Sequence, residues 1–393
     1  MLIEMHLLKN HTPANLNRDE TGSPKDCIFG GVPRARISSQ CLKRSIRKSD
    51  IFQEAVDKEL IGIRTRKMPQ MVGAVLRERG ISEQLVVKAE MVLSNLGKKE
   101  EKPEKDSRTK KDDKPLKESQ TEQILFYSNE DIRDVANVME KIIQENGNDL
   151  SKFEKIKFKD LKDQMKGKRP ISVDIAMFGR MVTDSLMHNV EASVQVAHAI
   201  STNRLQREFD YFTAVDDLLE ANDEIGAAMI GDLEFNSSCF YEYINFDMEE
   251  FIKNLSVGRE DEKQKVREIA EKVIVALLEA SVFTTPTGKQ NTFAAHQLPL
   301  AVYVEIKSRK IPVSMANAFI KPAEASRGKG LDEDSLEKMV AHIDTVNRKF
   351  FGQDSSGNRL WFSTLDNINP ETAQVCDSLK DLKGKIQAAL NKE

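Results

Sequence analysis

The segment VPRARISSQCLKRSIRKS, from Val32 to Ser49, carries six basic side chains and no acidic one. The whole chain of 393 residues has a formal net charge of -4, so this positive charge is local. Like charges one helical turn apart repel, and the cluster is therefore unfavourable unless an anion neutralises it. We call residues 32–49 the basic island; nucleic acid, an acidic partner or water alone could surround it.

The second half of the basic island has the pattern of an amphipathic helix. Ser38 or Ser39 can cap its first turn, and Leu42 and Ile46, four residues apart, form its apolar side. A helix start with free N–H groups and a flank of Lys and Arg suits phosphate, and the preceding Gly-Gly pair lets a backbone approach a ligand. A solvated basic face is the alternative.

The composition indicates a soluble globular protein, with 39% hydrophobic and 31% charged residues. No apolar run is long enough to span a membrane, and the first residues read as a strand rather than a secretory signal. The four cysteines are scattered, which favours free thiols in a cytoplasmic protein. Their positions are Cys27, Cys41, Cys239 and Cys376.

The hydrophobic periodicity predicts an α+β fold with an antiparallel sheet. The predicted strands cover residues 1–8, 171–179, 193–201, 237–247 and 298–307. The predicted helices cover the end of the basic island and residues 51–97, 129–146, 260–280, 332–350 and 371–390. Pro and Gly predict an irregular loop over residues 9–36, and high charge predicts disorder over residues 98–118.

The stretch from Thr202 to Phe235 has no clean period and lies between two predicted strands, which indicates a long hairpin-like projection. Its apolar residues could wedge between bases or could cover a core. They include Phe209, Tyr211, Phe212, Met229 and Ile230. The lysine-rich segment 152–169 could follow a phosphate backbone or form a solvated helix face.

Catalytic motifs are weak. TPTGKQNT, around Gly288 and Lys289, lacks the spacing of a phosphate-binding P-loop. No pair among the six histidines has metal-ligand spacing, and His198 is expected to pack inside a strand. The acids Asp19, Glu20 and Asp26 could form a ribonuclease site or serve as turn formers and ion pairs. We expect no metal and no cofactor.

One long block, HLLKNHTPANLNRDETGSPKDCIFGGVPRARISSQCLKRSIRKS, closely resembles the start of the CasC family. CasC is the crRNA-binding backbone subunit of the type I-E CRISPR surveillance complex, Cascade. Four later blocks resemble the family in the same order: VDIAMFGRMVTDS, VAHAISTNRLQREFDYFTAVDDL, PVSMANAF and ETAQV.

The resemblance implies a hand-shaped subunit, with a modified RRM or ferredoxin-like palm, an inserted helical fingers domain and a projecting thumb β-hairpin. The implied divisions are 1–56 (palm, first part), 57–169 (fingers, with the charged loop near 98–118), 170–202 (palm, second part), 203–233 (thumb) and 234–393 (palm, third part, with C-terminal helices).

The family resemblance also implies a function without catalysis. Copies would assemble head to tail along the crRNA, and each thumb would flip a nucleotide out of a neighbour's RNA segment. Target DNA would pair between these kinks. The implied partners are crRNA, target DNA, further copies and the other Cascade subunits: the large subunit, the small subunit, the 5′-end cap subunit and the 3′-end processing endoribonuclease. No membrane is implied.

Site residues carried over by position fall into three groups. Expected RNA contacts are Arg18, Lys25, Ser38, Gln40, Lys43, Arg44, Arg47, Arg180 and Met181. Expected thumb wedge residues are Tyr211, Phe212, Val215, Met229 and Ile230. Expected DNA contacts in the fingers are Lys152, Lys155, Lys157, Lys159 and Lys162.

Two rival functions stay open at this stage. The type III relatives resemble this chain in fold and cut RNA with a loop aspartate, for which Asp19 or Asp26 is the candidate here. A protein adaptor that uses the basic island for an acidic protein is the second rival.

Overall fold

The computed structural model describes residues 1–96, 120–153, 155–165, 169–182, 186–214, 229–352 and 358–391. The predicted disordered segment 98–118 lies outside this part of the chain. Two compact units are present. The first unit comprises residues 1–55, 194–248 and 271–393; the second comprises residues 56–193 and 249–270.

Twelve strands are assigned within the described residues. They are β1 (Leu2–Ala14), β2 (Asp26–Phe29), β3 (Val32–Ile37), β4 (Ile63–Thr65), β5 (Leu125–Tyr127), β6 (Val194–Val196), β7 (Ala199–Ser201), β8 (Glu208–Ala214), β9 (Met229–Asp247), β10 (Ala301–Lys307), β11 (Arg359–Ser363) and β12 (Gln374–Val375). Ten form one sheet in the order β12-β11-β10-β1-β9-β7-β3-β2, with β6 and β8 also paired to β9. Its described pairings are antiparallel except β11 with β12, so the predicted antiparallel sheet is a large mixed sheet.

The helices of the described residues are α1 (Ser39–Lys48), α2 (Asp50–Ala55), α3 (Met68–Glu78), α4 (Glu83–Leu93), α5 (Asn129–Glu145), α6 (Leu150–Phe153), α7 (Phe158–Gln164), α8 (Val173–Phe178), α9 (Met248–Leu255), α10 (Lys263–Phe283), α11 (Gln290–Phe293), α12 (Leu331–Val346) and α13 (Leu379–Leu390). Short 3-10 helices cover Lys58–Leu60 and Met315–Phe319, and a π-helix covers Asn347–Phe351. No described helix combines the length and apolar content needed to cross a membrane.

Strand β1 lies between β9 and β10 and is buried on both faces over its first eight residues. Its predicted end at residue 8 is therefore too early, because the strand continues to Ala14 through a register shift after His11. One face carries Leu7 and Met5, whereas the other carries Glu4 and His6. The sheet must therefore satisfy polar groups inside the first unit.

A buried polar network meets this need on the Glu4 face of the sheet. The carboxylate of Glu4 pairs with Lys307 and accepts a hydrogen bond from the hydroxyl of Tyr243. Arg359 donates to Glu305 at 2.9 Å. Around them lies an apolar cluster from the sheet, from α12 and from the 3-10 helix Met315–Phe319. It contains Tyr303, Met315, Phe319, Leu336, Met339, Ile343 and Trp361.

Strand β1 also reaches the end of helix α10 through one buried cation. Lys9 is 1% exposed, and its ammonium group donates to the carbonyls of Ser281 and Thr284. These carbonyls lie in and just beyond the last turn of α10, where no intrahelical partner exists and a cation is favoured. Burial lowers the pKa of Lys9, and the charge of Glu242 opposes this shift.

The predicted loop over residues 9–36 is wrong, because β2 and β3 form a hairpin there. Phe29 pairs with Val32, which leaves Gly30 and Gly31 as a two-residue turn. Both glycines have positive φ, 61° and 81°, which is the requirement of a type I′ turn. A Cβ at Gly30 would also overlap the carbonyl oxygen of Ile320. The Gly-Gly pair was therefore a hairpin signal in the sequence.

In the second unit, helices α3, α4 and α5 enclose a separate apolar core. Members of this core include Val72, Leu76, Val86, Leu93, Val135, Met139 and Ile143. The predicted helical region 51–97 is interrupted by β4, which pairs with β5 outside this region. The helix predicted at 129–146 is confirmed as α5, where Ser128 and Asp131 form a reciprocal capping box.

The predicted strand at 171–179 is wrong, because these residues form helix α8. Ser172 precedes the helix, and Gly179 ends it with φ of 78°. Ile175, Ala176 and Asp174 are all buried, so neither alternate face contacts water. Asp174 is satisfied by the N–H of Gly62 at 2.8 Å. A short helix buried on all sides shows no useful hydrophobic period, and apolar alternation misleads.

The strand predicted at 193–201 is two short strands, β6 and β7, both paired to β9. Val194 and Val196 are buried, but the alternation breaks before His198. His198 is exposed rather than packed, and its Nδ1 lies 3.0 Å from a guanidinium nitrogen of Arg36. That cationic neighbour adds to desolvation in lowering the pKa of His198.

Several other predicted elements are confirmed. The helix at 260–280 is α10, and the strand at 298–307 is β10. The terminal helix at 332–350 is α12 followed by the π-helix. The predicted last helix begins at 371, whereas α13 begins at Leu379 because β12 precedes it.

Two buried histidines predict acid-sensitive stability. Burial, together with the charge of Lys307, lowers the pKa of His6 to about 3; burial, together with Lys9, lowers the pKa of His11 to about 4. Between pH 6.5 and about 4, the unfolded chain binds protons at both sites and the folded chain largely does not. The free energy of unfolding should therefore have its full value above pH 6.5. Below pH 6.5 it should decrease, by up to about 1.4 kcal/mol per pH unit for each histidine.

Urea unfolding at pH 7.5, 6 and 5 measures this slope. His6→Gln, which stays neutral, should reduce the pH dependence by about the share of one histidine. Equal slopes in the wild type and His6→Gln would contradict the assignment.

Candidate nucleic-acid interface

Helix α1 begins where the sequence predicts and is tied to the preceding loop. The hydroxyl of Ser38 accepts a hydrogen bond from the N–H of Cys41 at 3.3 Å, which identifies Ser38 as the N-cap. The N–H of Ser38 donates to the side-chain oxygen of Asn17 at 2.8 Å. Leu42 and Ile46 are buried as predicted. The first loop and the helix are therefore one local structure.

The basic island separates into buried and exposed charges. Arg34 is fully buried, and it donates to carbonyls from two distant segments. These acceptors are the carbonyls of Ser201, Thr202, Phe319 and Ile320. Arg47 is also buried, at 8% exposure. Part of the island's charge is thus used inside the fold.

Of the remaining charges of the basic island, Arg36 lies in β3 and the other three lie on α1. Arg44, Lys48 and the neutral donor Gln40 are exposed, and Lys43 is partly exposed. Partial burial lowers the pKa of Lys43. Ser38 is buried and its hydroxyl oxygen is occupied by the cap bond, so the outward-facing donors of α1 are Gln40, Arg44 and Lys48.

The first loop, residues 16–25, folds on itself and exposes Arg18. A backbone bridge joins Arg18 to Pro24, and the N–H of Lys25 donates to the carbonyl of Asn17 at 2.9 Å. Asp19 accepts from the Thr21 hydroxyl at 2.7 Å and from the Ser23 N–H at 3.0 Å. These hydrogen bonds, that of the Thr21 hydroxyl first, lower the pKa of Asp19.

A groove of about 570 Å³ lies between this loop and helix α1. Its lining residues are Leu16, Asn17, Arg18, Asp19, Glu20, Thr21, Gly22, Cys41, Arg44, Ser45, Thr287 and Gly288. The groove brings Arg18 and Arg44 together, two of the residues predicted to contact RNA. A site of this volume is of the size that holds a small ligand or one nucleotide unit.

Sequence reasoning missed the third wall of this groove. Thr287 and Gly288 line the groove and belong to TPTGKQNT, a segment without P-loop spacing. A Cβ at Gly288 would overlap the carbonyl oxygen of Leu16, so only glycine allows this close approach. The only sequence signal for this wall was the glycine itself. Its close neighbour, Leu16, is remote in sequence, and a sequence pattern cannot reveal such a contact.

The hairpin of β8 and β9 exposes large aromatic side chains. Phe209 is 53% exposed and Tyr211 is 76% exposed, and strand alternation puts both on one face. Phe212 lies on the other face opposite Gly231, where a Cβ would come 2.5 Å from its ring. Val215 lies outside the described residues; Met229 and Ile230 are paired in β9, with backbone positions alone described.

Arg207 anchors the start of this hairpin, and sequence reasoning did not identify it. Its guanidinium pairs with Asp26 of β2 and lies 3.1 Å from a carboxylate oxygen of Glu234 in β9. The bond to Asp26 is the main cause that raises the pKa of Arg207. The hairpin arms and the β2–β3 hairpin are therefore linked by charge.

In the second unit, the adjacent residues Arg180 and Met181 differ completely in exposure. Arg180 is buried, and it donates to Asp131 at 2.5 Å and to the carbonyl of Phe126 at 3.1 Å. The expectation that Arg180 contacts RNA directly is corrected, because its guanidinium is used inside the unit. Met181 is 89% exposed, as a side chain that packs on bases would require.

The lysine-rich segment of the second unit presents its charges to solvent where it is described. Lys152, Lys155, Lys157 and Lys159 are exposed, and Lys162 lies over the ring of Phe158 at 5.1 Å. This exposure of the lysines fits a surface that follows a nucleic-acid phosphate backbone and a solvated helix face equally well.

The loop acids do not form a metal site in the described part of the chain. Asp19 is the acceptor of a turn, and Asp26 is paired with Arg207. Among the described residues, no three His, Cys, Asp or Glu side chains come together as a metal-binding group. The turn-former and ion-pair interpretation of these acids fits their contacts.

Chains with this fold occur in solved structures, of which two are given as examples. One is described as "CRISPR RNA-guided surveillance complex, pre-nicking"; its chain has a TM-score of 0.78 at 24% identity and covers 99% of this chain and 100% of that chain. The other is described as "CRISPR RNA-guided surveillance complex", with a TM-score of 0.68 at 20% identity and coverage of 100% of both chains. No curated protein sequence matches significantly.

A protein-family model matches nearly the whole chain. The model named Cas_CT1975, described as "CT1975-like protein", matches residues 3–387. This match and the shared fold confirm the CRISPR family resemblance seen in the sequence. The chain belongs to the Cas_CT1975 family of CT1975-like proteins.

Proposed function

We propose that this chain is a non-catalytic, crRNA-binding backbone subunit of a type I-E CRISPR Cascade complex. The observation that carries the proposal is the groove that Arg18 and Arg44 both line, beside the exposed donors of α1. The similar solved structures are described as RNA-guided surveillance complexes, which supports the same class of ligand.

The two arginines that line the groove suit phosphate; the carboxylates of Asp19 and Glu20 line it as well. Arg44 and Arg18 can each donate two parallel hydrogen bonds, and Gln40 adds a neutral donor nearby on α1. Contacts of this kind fix a nucleic-acid backbone without reading its sequence. A subunit that must hold any guide needs this property, and base pairing with target DNA then supplies the specificity.

The exposed aromatic face of the hairpin supports a thumb role. An aromatic side chain can stack on a nucleobase, and a projecting apolar residue can unstack one base step. Tyr211 is the best candidate, because Phe212 already packs against Gly231. We propose that Tyr211 displaces a nucleotide at regular intervals along a neighbour's RNA segment.

The proposal includes a cytoplasmic assembly. Copies of the chain contact one another head to tail, and such a heterologous interface builds an open filament whose length the RNA sets. The RRM-like palm, the fingers with their exposed lysines toward target DNA, and the large, small, 5′-end cap and 3′-end processing subunits belong to the same proposal.

The two rivals receive less support. An RNA-cleaving subunit would need a free loop carboxylate, whereas Asp19 caps a turn and Asp26 pairs with Arg207. An adaptor for acidic proteins would use the same exposed charges but has no use for the outward Tyr211 and Met181.

The first test removes one phosphate contact. Arg44→Ala should weaken binding of a guide-like single-stranded RNA to the same degree for every sequence. It should also reduce the slope of log affinity against log salt by about 0.7, the value for one single-strand contact. Lys380→Ala, an exposed charge on α13, is the control and should leave the slope unchanged.

Equal slopes for Arg44→Ala, Lys380→Ala and the wild type would count against phosphate contact. The same titrations with Mg²⁺ should return intact RNA. Cleaved RNA would favour the nuclease rival, and no RNA binding at all would favour the adaptor.

The second test addresses the thumb. Tyr211→Ala should leave the RNA bound but remove the regular pattern of chemically reactive bases along it, because stacking on the wedge is lost. Phe350→Ala is a matched control, since Phe350 is 79% exposed and lies outside the hairpin. A reactivity pattern that persists in Tyr211→Ala would exclude Tyr211 as the wedge.

The third test addresses the wall of the groove. Gly288→Ala forces a Cβ against the Leu16 carbonyl, so we expect a stability loss of about 1–3 kcal/mol and weaker RNA binding as the first loop shifts. Gly384→Ala in α13 is the control, because nothing lies within 4 Å of its Cβ position. If folded Gly288→Ala binds RNA with the same affinity as the control, this wall of the groove does not shape the site.

A further inference from the structure

Met181 has the highest exposed fraction, 89%, among the large apolar side chains in the described part of the chain. Its neighbours in sequence are both buried, with Arg180 at 5% and Val182 at 7% exposure. An apolar side chain on a pliable segment would turn inward to escape water. The question is what holds Met181 outward.

The backbone around Met181 is fixed on both sides. Gly179 has φ of 78°, and a Cβ there would come 2.9 Å from the carbonyl oxygen of Val190. The N–H of Arg180 donates to that carbonyl at 2.9 Å, and the N–H of Val190 donates back at 2.9 Å. On the other side, the N–H of Val182 donates to the side-chain oxygen of Asn189 at 2.6 Å.

The side chain of Arg180 completes this restraint. Its guanidinium donates to Asp131 and to the carbonyls of Phe126 and His188. Asp131 cannot move away, because the same carboxylate oxygen accepts the N–H of Ser128 at 2.9 Å as part of the α5 capping box. Breaking one partner of a buried ion pair leaves an uncompensated charge, which strongly favours the intact pair.

We infer that Arg180 is a positioning residue whose buried pair with Asp131 holds Met181 outward as an apolar contact for the face of an RNA base. This inference rests on the proposed function. Arg180 itself cannot reach a phosphate, because its side chain is 1% exposed. The ligand is the flat, polarisable surface of a nucleobase, against which a thioether makes favourable contact.

A double-mutant cycle on the full chain bound to a guide-like RNA tests the inference. The four proteins are the wild type, Arg180→Gln, Met181→Ala and the double variant. Each single variant should raise the chemical reactivity of the same RNA bases by about two- to tenfold, the range for losing one sulfur–aromatic contact. The double variant should show no larger change than either single one, with the salt slope unchanged in all four.

The controls separate positioning from general destabilisation. Arg79→Gln breaks another ion pair of the same unit, with Glu140, and should leave base reactivity unchanged. If Arg180→Gln does not fold, Asn189→Ala takes its place in the cycle, because it releases Val182 on the opposite side of Met181.

Three outcomes overturn the inference while RNA binding stays normal: additive effects in the double variant, no reactivity change in Met181→Ala, or a salt slope that falls by about 0.7 in Arg180→Gln. The last would mean direct phosphate contact. A wild type without salt-dependent RNA binding would instead overturn the proposed function, and the inference with it.

Discussion

The guanidinium of Arg34 lies without solvent contact in the first unit and donates to four carbonyls from residues 201–202 and 319–320. A buried cation that loses its partners costs several kcal/mol, so these two segments must stay in place once strand β3 is formed. Strand β3 leads directly into Ser38 and helix α1. The position of the outward charges of α1 therefore depends on one arginine that has no contact with solvent.

This dependence explains why only some of the basic side chains of the basic island reach solvent. Arg34 and Arg47 are buried, whereas Arg44 and Lys48 are exposed. Arg180 repeats the pattern in the second unit, where the adjacent Met181 is the outward residue. The sequence shows which side chains are charged but not which of them are buried. Burial of a charge depends on carbonyl and carboxylate partners that come from segments remote in sequence.

What the sequence predicts well is local. The Ser38 cap, helix α5 and helix α10 all follow from patterns within a few turns. The sequence predicts poorly those features that depend on tertiary contacts. Helix α8 is buried on all sides and therefore has no helical hydrophobic period. The wall of the groove at Gly288 forms only because Leu16 approaches it closely. The β2–β3 hairpin is a different case, since Gly30 and Gly31 carried the turn signal and proline-rich neighbours obscured it.

Strand β9 runs from the hairpin into the middle of the sheet without a break, pairing with β8 up to Phe235 and with β1 from Asn236 onward. The hairpin is therefore fixed mechanically at the end where β9 enters the sheet, and the ion pairs of Arg207 with Asp26 and Glu234 stiffen that end. Tyr211 lies in β8 and pairs with Asp232, so a force on Tyr211 passes across the β8–β9 hydrogen bonds to β9 and along that strand to its pairing with β1. Bending the hairpin therefore means twisting the sheet, and resistance to displacement comes from the core rather than from the hairpin itself.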